Sequence, residues 1–471
     1  MTRASQTYGF LPMQLPAEVR FMDLIHAEDE RIPVGGSPST AWSSAPPPST
    51  ACSSASGHRF DAARGSLAFV AATNLGSTAF LQVVALAMAG AARMEPSADP
   101  QDVWDQPQSP PRRVRRGVVV VGGGQAGLAL GYFLKAQGSD FTILEAADEP
   151  AMAWRTRWDS LKLFTPVRYS GLPGMPMPGD PDAYPTRDEV ADYLTAYAER
   201  LALPIERGRP VRRVTRADGG FIVETDAETY EANQVVVATG PFQTPFTPPI
   251  AQGLGPEVRQ LHSSAYRAPQ DVPEGTVLVV GGGNTGFQIA EELSRSHSVH
   301  LSIGSRQTPL PQRIAGRDLF SYLEGTGLMR KSVDSRIGRR MKGRDTLIGS
   351  RPRTIRSRHG VQLHGRAVDA AGRTVRFADG GAIDVGTVIW ATGFRVDHSW
   401  IDAPVFDDDG HALHRRGVTE VPGLYFLGLT WLHTRGSALI GWVADDAEHI
   451  ARQIRNFVPA GPQLSPAEPI A

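Results

Sequence analysis

Residues 117–145 read GVVVVGGGQAGLALGYFLKAQGSDFTILE, and this stretch decides the fold. The uniformly apolar run at 118–121 predicts a parallel strand that is buried on both faces. Gly122, Gly124 and Gly127 follow with the spacing G-x-G-x-x-G, where the strand has to turn sharply into a helix. Such a turn lets the backbone approach a pyrophosphate and points the free N–H groups of a helix towards it. The stretch therefore predicts a dinucleotide-binding βαβ unit.

An acidic residue closes this unit, because Glu145 ends the second strand eighteen residues after Gly127. A carboxylate at that position accepts hydrogen bonds from the hydroxyls of an adenosine ribose and repels a 2′-phosphate, which favours FAD or NAD over NADP. A glycine-rich turn alone is weak evidence, since it also joins strands and helices that bind no ligand. The strand, the helix and the terminal acid together favour a nucleotide site.

The same pattern recurs at residues 276–306, TVLVVGGGNTGFQIAEELSRSHSVHLSIGSR. Gly281, Gly283 and Gly286 have the same spacing, but the second strand has no acid and ends with Ser305 and Arg306. An arginine beside a hydroxyl is suited to bind the 2′-phosphate of NADPH, and the alternative is a solvated surface arginine. Two such units predict an α/β fold with two Rossmann-like domains, one for FAD and one for NADPH.

The order of the remaining elements predicts that the FAD-binding domain is discontinuous. We assign residues 116–273 to its first part, 274–387 to an inserted NADPH-binding domain and 388–458 to its second part, followed by a tail at 459–471. Two ATG turns, ending at Gly240 and Gly393, and a later turn at Gly428 follow predicted strands and allow backbone close to a cofactor. Thr186 is predicted to cap a helix that follows an aromatic, Pro/Gly-rich loop.

Composition limits the partners. The formal net charge is −1, which argues against nucleic acid or an anionic membrane surface as the main partner. Cys52 is the sole cysteine, so the chain cannot form an intramolecular redox-active pair, and a reducing compartment such as the cytoplasm is favoured. We assign no metal ligands, and the sequence leaves a homodimer open.

Residues 1–115 are Ser-, Pro- and Ala-rich and predict a low-complexity, disordered extension. Within it, residues 65–92 form 28 consecutive residues without a formal charge, long enough to span a bilayer. The stretch is rich in alanine and interrupted by polar residues, so we do not expect a membrane span, although membrane association through it stays open. We favour a third interpretation, in which translation begins at Met94.

Four stretches carry a resemblance to a known family: RWDSLKLFTP at 157–166, YPTRDEVADYL at 184–194, HSSAYR at 262–267 and LHTRGSALIGW at 432–442. With the two nucleotide units in this order, residues 116–457 resemble flavin-containing and Baeyer–Villiger monooxygenases, and among these the bacterial flavoproteins of the CzcO type. The resemblance implies that FAD contacts Gly122, Gly124, Gly127, Glu145, Trp154, Val211, Thr239, Gly240 and Gly428. It implies that NADPH contacts Gly281, Gly283, Asn284, Gly286 and Arg306. We add the neighbouring residues Gln125, Ala126, Thr285, Ser305 and Gly393 to these cofactor-binding sets.

The resemblance also implies a reaction. NADPH would reduce FAD by hydride transfer, and the reduced flavin would react with O₂ to a (hydro)peroxyflavin that passes one oxygen to a small soft nucleophile or ketone. His433 and Arg435 are the candidate catalytic residues, because a cation there could stabilise peroxide anion. The alternative for both is structural pairing behind the site.

The chain departs from the family pattern at three places. It has Met152 and Ala153 instead of a glycine pair, and Phe164 and Thr165 where an asparagine is expected. The monooxygenase fingerprint F-x-G-x-x-x-H keeps only its histidine, because Pro256 and Val258 take the aromatic and glycine places and leave His262 and Tyr266. A disulfide reductase is excluded because it needs a cysteine pair. An NADPH-dependent flavin reductase or oxidase that makes hydrogen peroxide, or a redox sensor that binds both nucleotides, remains as the competing hypothesis.

Overall fold

The computed structural model describes residues 112–342 and 346–458. The strands are β1 (Arg112–Val121), β2 (Phe141–Leu144), β3 (Ile205–Glu206), β4 (Val211–Ala217), β5 (Gly220–Thr225), β6 (Glu228–Val237), β7 (Thr244–Pro245), β8 (Arg259–His262), β9 (Thr276–Val280), β10 (Ser298–Ser302), β11 (Thr308–Leu310), β12 (Arg313–Ile314), β13 (Arg317–Asp318), β14 (Thr346–Ile348), β15 (Gln362–His364), β16 (Ala367–Ala371), β17 (Thr374–Phe377), β18 (Ala382–Asp384), β19 (Thr387–Trp390), β20 (Phe394–Arg395), β21 (Ile401–Asp402) and β22 (Leu424–Phe426). The α-helices are α1 (Gln125–Ala136), α2 (Met152–Arg155), α3 (Arg187–Arg200), α4 (Asn284–Leu293), α5 (Leu319–Gly325), α6 (Arg336–Lys342), α7 (Pro352–His359) and α8 (Val443–Arg455).

The first sheet has the order β21-β4-β5-β6-β1-β2-β3, and β22 also pairs with β6. Its centre is parallel, since β1 pairs in parallel with both β2 and β6. Val118 and Val120 face the core formed with α1, α3 and α8, whereas Val119 and Val121 face a second core on the opposite side. Burial of each valine contributes roughly 1.5–3 kcal/mol. The predicted strand, buried on both faces, is confirmed.

The second sheet has the order β15-β10-β9-β19-β8, and all four of these pairings are parallel. One face packs against α4 through Phe287 and Ile289, and the other face buries Trp390. This sheet and the first are both Rossmann-type, so the predicted α/β fold with Rossmann-like sheets is confirmed.

The sheets do not follow the predicted boundaries at 273/274 and 387/388. Strand β8 lies before the first boundary and β19 spans the second, yet both pair within the second sheet. The physical reason is that a parallel sheet can add strands on either side of its βαβ unit, and such distant pairings leave no mark in the local pattern. The division into domains itself stays a prediction.

The first strand also begins earlier than the predicted end of the extension at residue 115. Residues Arg112–Arg116 already pair with β6, and Arg113 and Arg115 both donate hydrogen bonds to Glu231, at 3.1 and 3.0 Å. The run RRVRR lacks an apolar alternation because cross-strand charge pairs, and not burial, hold it in place. Residues 1–111, with Cys52, Met94 and the 65–92 stretch, and the tail at 459–471 lie outside the described residues.

The chain crosses between the two sheets twice, and the two crossings run side by side. After β6 it passes through β7 to the second sheet, and after β19 it returns through β20, which pairs antiparallel with β7. The helix predicted after Thr186 is α3, and Thr186 with Glu189 forms a capping box at its start. Across residues 112–342 and 346–458, no helix combines the length and the hydropathy that crossing a membrane requires.

A buried histidine makes stability depend on pH. His398 is 9% exposed and stacks on Phe406, and no described residue hydrogen-bonds its Nε2. Burial lowers the pKa of His398 to about 4 from 6.5, against the opposing effect of Asp397. The unfolded histidine therefore binds a proton that the folded one does not, and the free energy of unfolding falls as the pH drops from about 6.5 to about 4.

We expect His398→Phe, which keeps the ring stack, to remove roughly 2–3 kcal/mol of the stability that the parent loses between pH 7 and about pH 4.5. Urea unfolding at both pH values measures this loss. The exposed His411, changed to Gln, is the control and should follow the parent. Equal acid sensitivity of His398→Phe and the parent would show that His398 is protonated in the folded state.

Candidate functional site

The two glycine turns have the same geometry. The first glycine of each turn has a positive φ, +112° at Gly122 and +132° at Gly281. A β carbon on the third glycine would lie 2.0 Å from the Gly122 oxygen in the first turn and 1.9 Å from the Gly281 oxygen in the second. The second glycines, Gly124 and Gly283, would each place a β carbon in open space. The three glycines thus permit the turn, leave room for a ligand and allow strand and helix to pack.

Both turns present free helix N-termini. Gly124 is the N-cap of α1 and Gly283 is the N-cap of α4, and a glycine has no side chain that could accept a hydrogen bond from the first N–H groups of the helix. The first N–H groups of an uncapped helix need an acceptor, and with the helix dipole they favour an anion. A pyrophosphate fits both places.

One cavity of about 1210 Å³ lies at both turns. Single drug-sized ligands occupy roughly 300–1,000 Å³, so its volume suits more than one such ligand. The predicted site residues that line it are Gly122, Gly124, Gln125, Ala126, Glu145, Trp154, Val211, Thr239, Gly240, Gly281, Gly283, Asn284, Thr285, Ser305, Gly393, Gly428 and Arg435. Gly127 and Gly286 lie beneath the turns, and Arg306 and His433 are not among the described residues that line it.

The charge of the cavity is strongly positive. Its described lining contains six cationic side chains, those of Arg157, Lys162, Arg209, Lys342, Arg366 and Arg435. Glu145 is the one carboxylate in the same lining. Such an excess of cations fits ligands that carry several phosphates.

Glu145 is held firmly at the end of β2. Its Oε2 accepts a hydrogen bond from the Gly123 N–H at 2.7 Å, and its Oε1 accepts one from the Ala147 N–H at 3.0 Å. An ionised carboxylate has about four acceptor sites, so two backbone bonds leave capacity for ribose hydroxyls. The geometry is compatible with the predicted ribose contact.

Arg435 lines the cavity and has no acidic partner among the described residues. Its guanidinium lies over Trp431, 5.8 Å from the ring centroid, and it makes no hydrogen bond or ion pair with any described residue. Burial lowers the pKa of Arg435, but an arginine remains charged at neutral pH. Gln125 donates to the Ala438 oxygen at 2.8 Å and so ties the Arg435 segment to the first glycine turn. A partly buried cation without a counterion favours an anionic ligand or transition state.

His433 is not among the described residues that line this cavity, although it is two residues before Arg435. Its backbone accepts a hydrogen bond from Val333 and donates one to the Ser437 hydroxyl. Burial and then the charge of Arg416 lower the pKa of its ring, while Asp446 opposes them. Arg416 in turn donates to Asp446 at 3.0 Å. These surroundings favour structural pairing, the alternative that the sequence left open, and the catalytic role of His433 stays a prediction.

Sequence reasoning missed several cations of the lining. Arg157 lies against Phe242 and Phe394, with its Cζ atom 5.3 and 5.4 Å from the ring centroids, and burial followed by Arg267 lowers its pKa. Arg366 follows β15 and donates to the Gly304 oxygen at 2.8 Å. Arg157 could have been predicted, because it lies in the stretch RWDSLKLFTP that resembles the family. No motif in the neighbouring sequence indicates that Arg366 lines the cavity.

Comparison with known proteins identifies the family. Residues 119–313 match the family described as pyridine nucleotide-disulphide oxidoreductase. A CzcO-like oxidoreductase of Geobacillus kaustophilus is 45% identical over 341 residues, which cover 72% of this chain and 98% of that protein. The oxidoreductase CzcO of Bacillus subtilis is 38% identical over 71% of this chain and 98% of its own. The structure of a flavin-containing monooxygenase from Stenotrophomonas maltophilia, 30% identical, covers 73% of this chain and 98% of its own with a TM-score of 0.61.

The chain belongs to the CzcO-like, flavin-containing monooxygenase-like oxidoreductases. The predicted resemblance and the enzyme class are therefore confirmed, and FAD with NADPH is confirmed as the cofactor pair at the level of the family. The cysteine pair of a disulfide reductase remains absent from the sequence, which has Cys52 alone.

The three departures from the family pattern can be located in the structure. Met152 and Ala153 lie in α2, and the left-handed backbone that would favour glycine falls on Ala151, with φ +56°. His262 accepts at Nδ1 from the Ser264 N–H, so its Nε2–H donates to the Gly393 oxygen at 3.0 Å. The histidine of the monooxygenase fingerprint thus holds the second ATG turn in place. Phe164 lines the cavity and stacks on Phe320.

Proposed function

We propose that this protein is an FAD-dependent, NADPH-consuming monooxygenase that transfers one oxygen atom from O₂ to a small soft nucleophile or a ketone. The observation that carries the proposal is that two glycine turns of the same geometry line a single cationic cavity. Two nucleotides in one enclosure can bring their redox rings together. The similarity to the Stenotrophomonas maltophilia flavin-containing monooxygenase supports the proposal that the contact between the two redox rings leads to oxygen transfer.

In this proposal the first sheet binds FAD and the second binds NADPH. Glu145 at the end of β2 would accept the ribose hydroxyls of FAD, and Ser305 after β10 would lie near the 2′-phosphate of NADPH. The FAD-binding domain is then discontinuous, because β21 and β22 return to the first sheet after the second is complete. The paired crossings β7 and β20 would join the two domains.

FAD, when bound, accepts a hydride from NADPH and delivers the electrons that reduce O₂. In the net reaction NADPH, a proton, O₂ and the substrate give NADP⁺, water and the oxygenated product. The chain has to hold both nucleotides and keep bulk water away, since water promotes the loss of reduced oxygen as hydrogen peroxide. The apolar part of the lining, which includes Trp154, Trp158, Leu163, Phe164 and Leu439, serves that purpose.

Arg435 is the residue that we assign to oxygen activation. Negative charge develops on oxygen during its reduction, and a fixed cation in an apolar enclosure stabilises that charge more strongly than water does. The Arg435 guanidinium has no competing carboxylate among the described residues, so its charge is available to the cavity.

The expected result is that the yellow, purified protein oxidises NADPH and that a suitable sulfide, amine or ketone lowers the hydrogen peroxide formed per NADPH. Parallel measurement of NADPH, O₂, peroxide and oxygenated product, with and without each candidate, tests this. Peroxide equal to NADPH with every candidate would instead support a flavin oxidase, and NADPH binding without turnover would support a sensor.

A further inference from the structure

We propose that Arg366 is the principal cation that binds the 2′-phosphate of NADPH and thereby sets the preference for NADPH over NADH. The inference rests on the proposed function, because it assumes that the second glycine turn holds a nicotinamide dinucleotide. It assigns to Arg366 the role that the sequence assigned to Arg306.

The position of Arg366 is fixed by pairing between distant strands. β15 runs parallel to β10, with His364 opposite Ser302, so both strands end at the same edge of the second sheet. Three hydrogen bonds continue the contact past the strands: Ile303 N–H to the His364 oxygen, Ser302 Oγ to the Gly365 oxygen and Ala367 N–H to Ser302 Oγ, at 3.0, 2.8 and 3.0 Å. The backbone of residue 366 is therefore held beside the turn that follows β10. In a Rossmann unit this turn lies at the adenosine ribose.

The side chain is oriented towards the same turn. Arg366 Nη2 donates to the Gly304 oxygen at 2.8 Å, and its Cζ lies 3.5 Å from the point where a β carbon on Gly304 would be. The guanidinium therefore lies along the backbone that precedes Ser305. Ser305 and Gln307 line the same cavity, and Gln307 donates to the Ser305 hydroxyl at 3.0 Å.

Arg366 has no carboxylate to neutralise it in the part of the chain that the structure describes. The nearby Asp379 accepts backbone hydrogen bonds from Gly365 and Gly381, which lower the pKa of its carboxyl group, and it forms no ion pair with Arg366. Among described residues the Gly304 oxygen is the one acceptor of the Arg366 side chain. Four of the roughly five N–H donors of a guanidinium are then available to a dianionic phosphate.

Arg306 is placed less favourably. Both arginines are exposed, but Arg306 is not among the described residues that line the cavity, whereas Arg366 is. Arg366 follows the neighbouring strand β15, so in this proposal it would approach the ribose from the side of that strand. The two arginines make separable contributions, and we expect that of Arg366 to be the larger.

The test compares two ligands that differ by a single phosphate. Adenosine 2′,5′-bisphosphate and 5′-AMP are titrated calorimetrically into the FAD-loaded protein. Arg366→Ala should raise the Kd for the bisphosphate roughly 10- to 100-fold, as expected for loss of charge-assisted hydrogen bonds, and should change the Kd for 5′-AMP little. Arg366→Lys keeps the charge but not the planar fork and should lie between the parent and Arg366→Ala. Arg306→Ala should have the smaller effect.

Arg376→Ala is the matched control. Arg376 is an exposed arginine in β17, forms an ion pair with Asp369 and is not among the described residues that line the cavity. This variant should bind both ligands as the parent does. Unchanged thermal unfolding and FAD content of Arg366→Ala would show that the Gly304 contact is not needed for folding.

Three outcomes would overturn the inference. An equal loss of both ligands in Arg366→Ala would place the side chain at the adenine or the 5′-phosphate. No loss of the bisphosphate would remove Arg366 from the site while leaving the NADPH proposal in place, provided that the parent prefers the bisphosphate. A parent that binds both ligands equally, or neither, would reject the NADPH assignment together with the inference.

Discussion

Gly124→Ala is expected to give a folded protein that contains essentially no flavin. Gly124 has φ −76° and ψ −172°, a conformation that alanine adopts readily, and its new methyl group would meet no atom of the described residues within 4 Å. The methyl group would instead enter the cavity where the backbone has to approach the FAD pyrophosphate. The FAD-to-protein ratio after gel filtration, read from the visible spectrum, measures the loss, and thermal unfolding shows that the chain is folded.

Two further glycine variants serve as matched controls. Gly127→Ala would place a methyl group 2.0 Å from the Gly122 oxygen, a backbone atom that cannot move aside, so this protein should fail to fold. Gly283→Ala should keep its flavin but lose reduction by NADPH, because Gly283 is the equivalent position in the second turn. A Gly124→Ala protein with normal FAD content would show that FAD does not bind at the first turn.

The sequence was sufficient for the features that depend on neighbouring residues. The glycine spacing, the buried strand before it and the helix after it predicted β1, α1, β9 and α4, because each of these elements follows from a contiguous pattern. The capping box of α3 was visible in the same way, since Thr186 and Glu189 are three residues apart.

Features that depend on distant pairing could not be predicted. β15 joins β10 through residues that are about sixty positions apart, and this pairing brings Arg366 to the cavity edge. The membership of β8 and β19 in the second sheet depends on similar pairings between distant residues. A hydrophobic pattern shows that a strand is buried, but it does not show which neighbour the strand has.

The segment LHTRG, residues 432–436, shows that the placement of single side chains in an irregular turn could not be predicted from the sequence. His433 and Arg435 are two residues apart and were predicted to share a catalytic role. Arg435 is among the described residues that line the cavity and His433 is not, while the charges of Arg416 and Asp446 act on the pKa of the His433 ring. Side-chain direction in an irregular turn depends on local backbone angles that composition does not reveal. The catalytic proposal consequently rests on Arg435 alone.

Arg435→Ala is expected to uncouple NADPH oxidation from oxygen transfer. FAD content and anaerobic reduction by NADPH should stay close to those of the parent, because the glycine turns are untouched. Oxygenated product per NADPH should fall roughly 10- to 100-fold, the usual loss when one group that stabilises developing charge is removed, and hydrogen peroxide should rise to match. Product and peroxide yields, together with stopped-flow reoxidation of the reduced flavin by O₂, measure the effect.

Arg435→Lys and His433→Gln separate charge from structure. The lysine keeps a cation in the cavity and should retain part of the coupling, although it loses the planar contact with Trp431. His433→Gln changes a side chain that is outside the described lining, so it should preserve coupling even if it lowers the melting temperature. If Arg435→Ala forms as much oxygenated product per NADPH as the parent, the LHTRG segment is structural and oxygen is activated elsewhere in the cavity. If instead His433→Gln uncouples the reaction and Arg435→Ala does not, the two residues have the opposite roles.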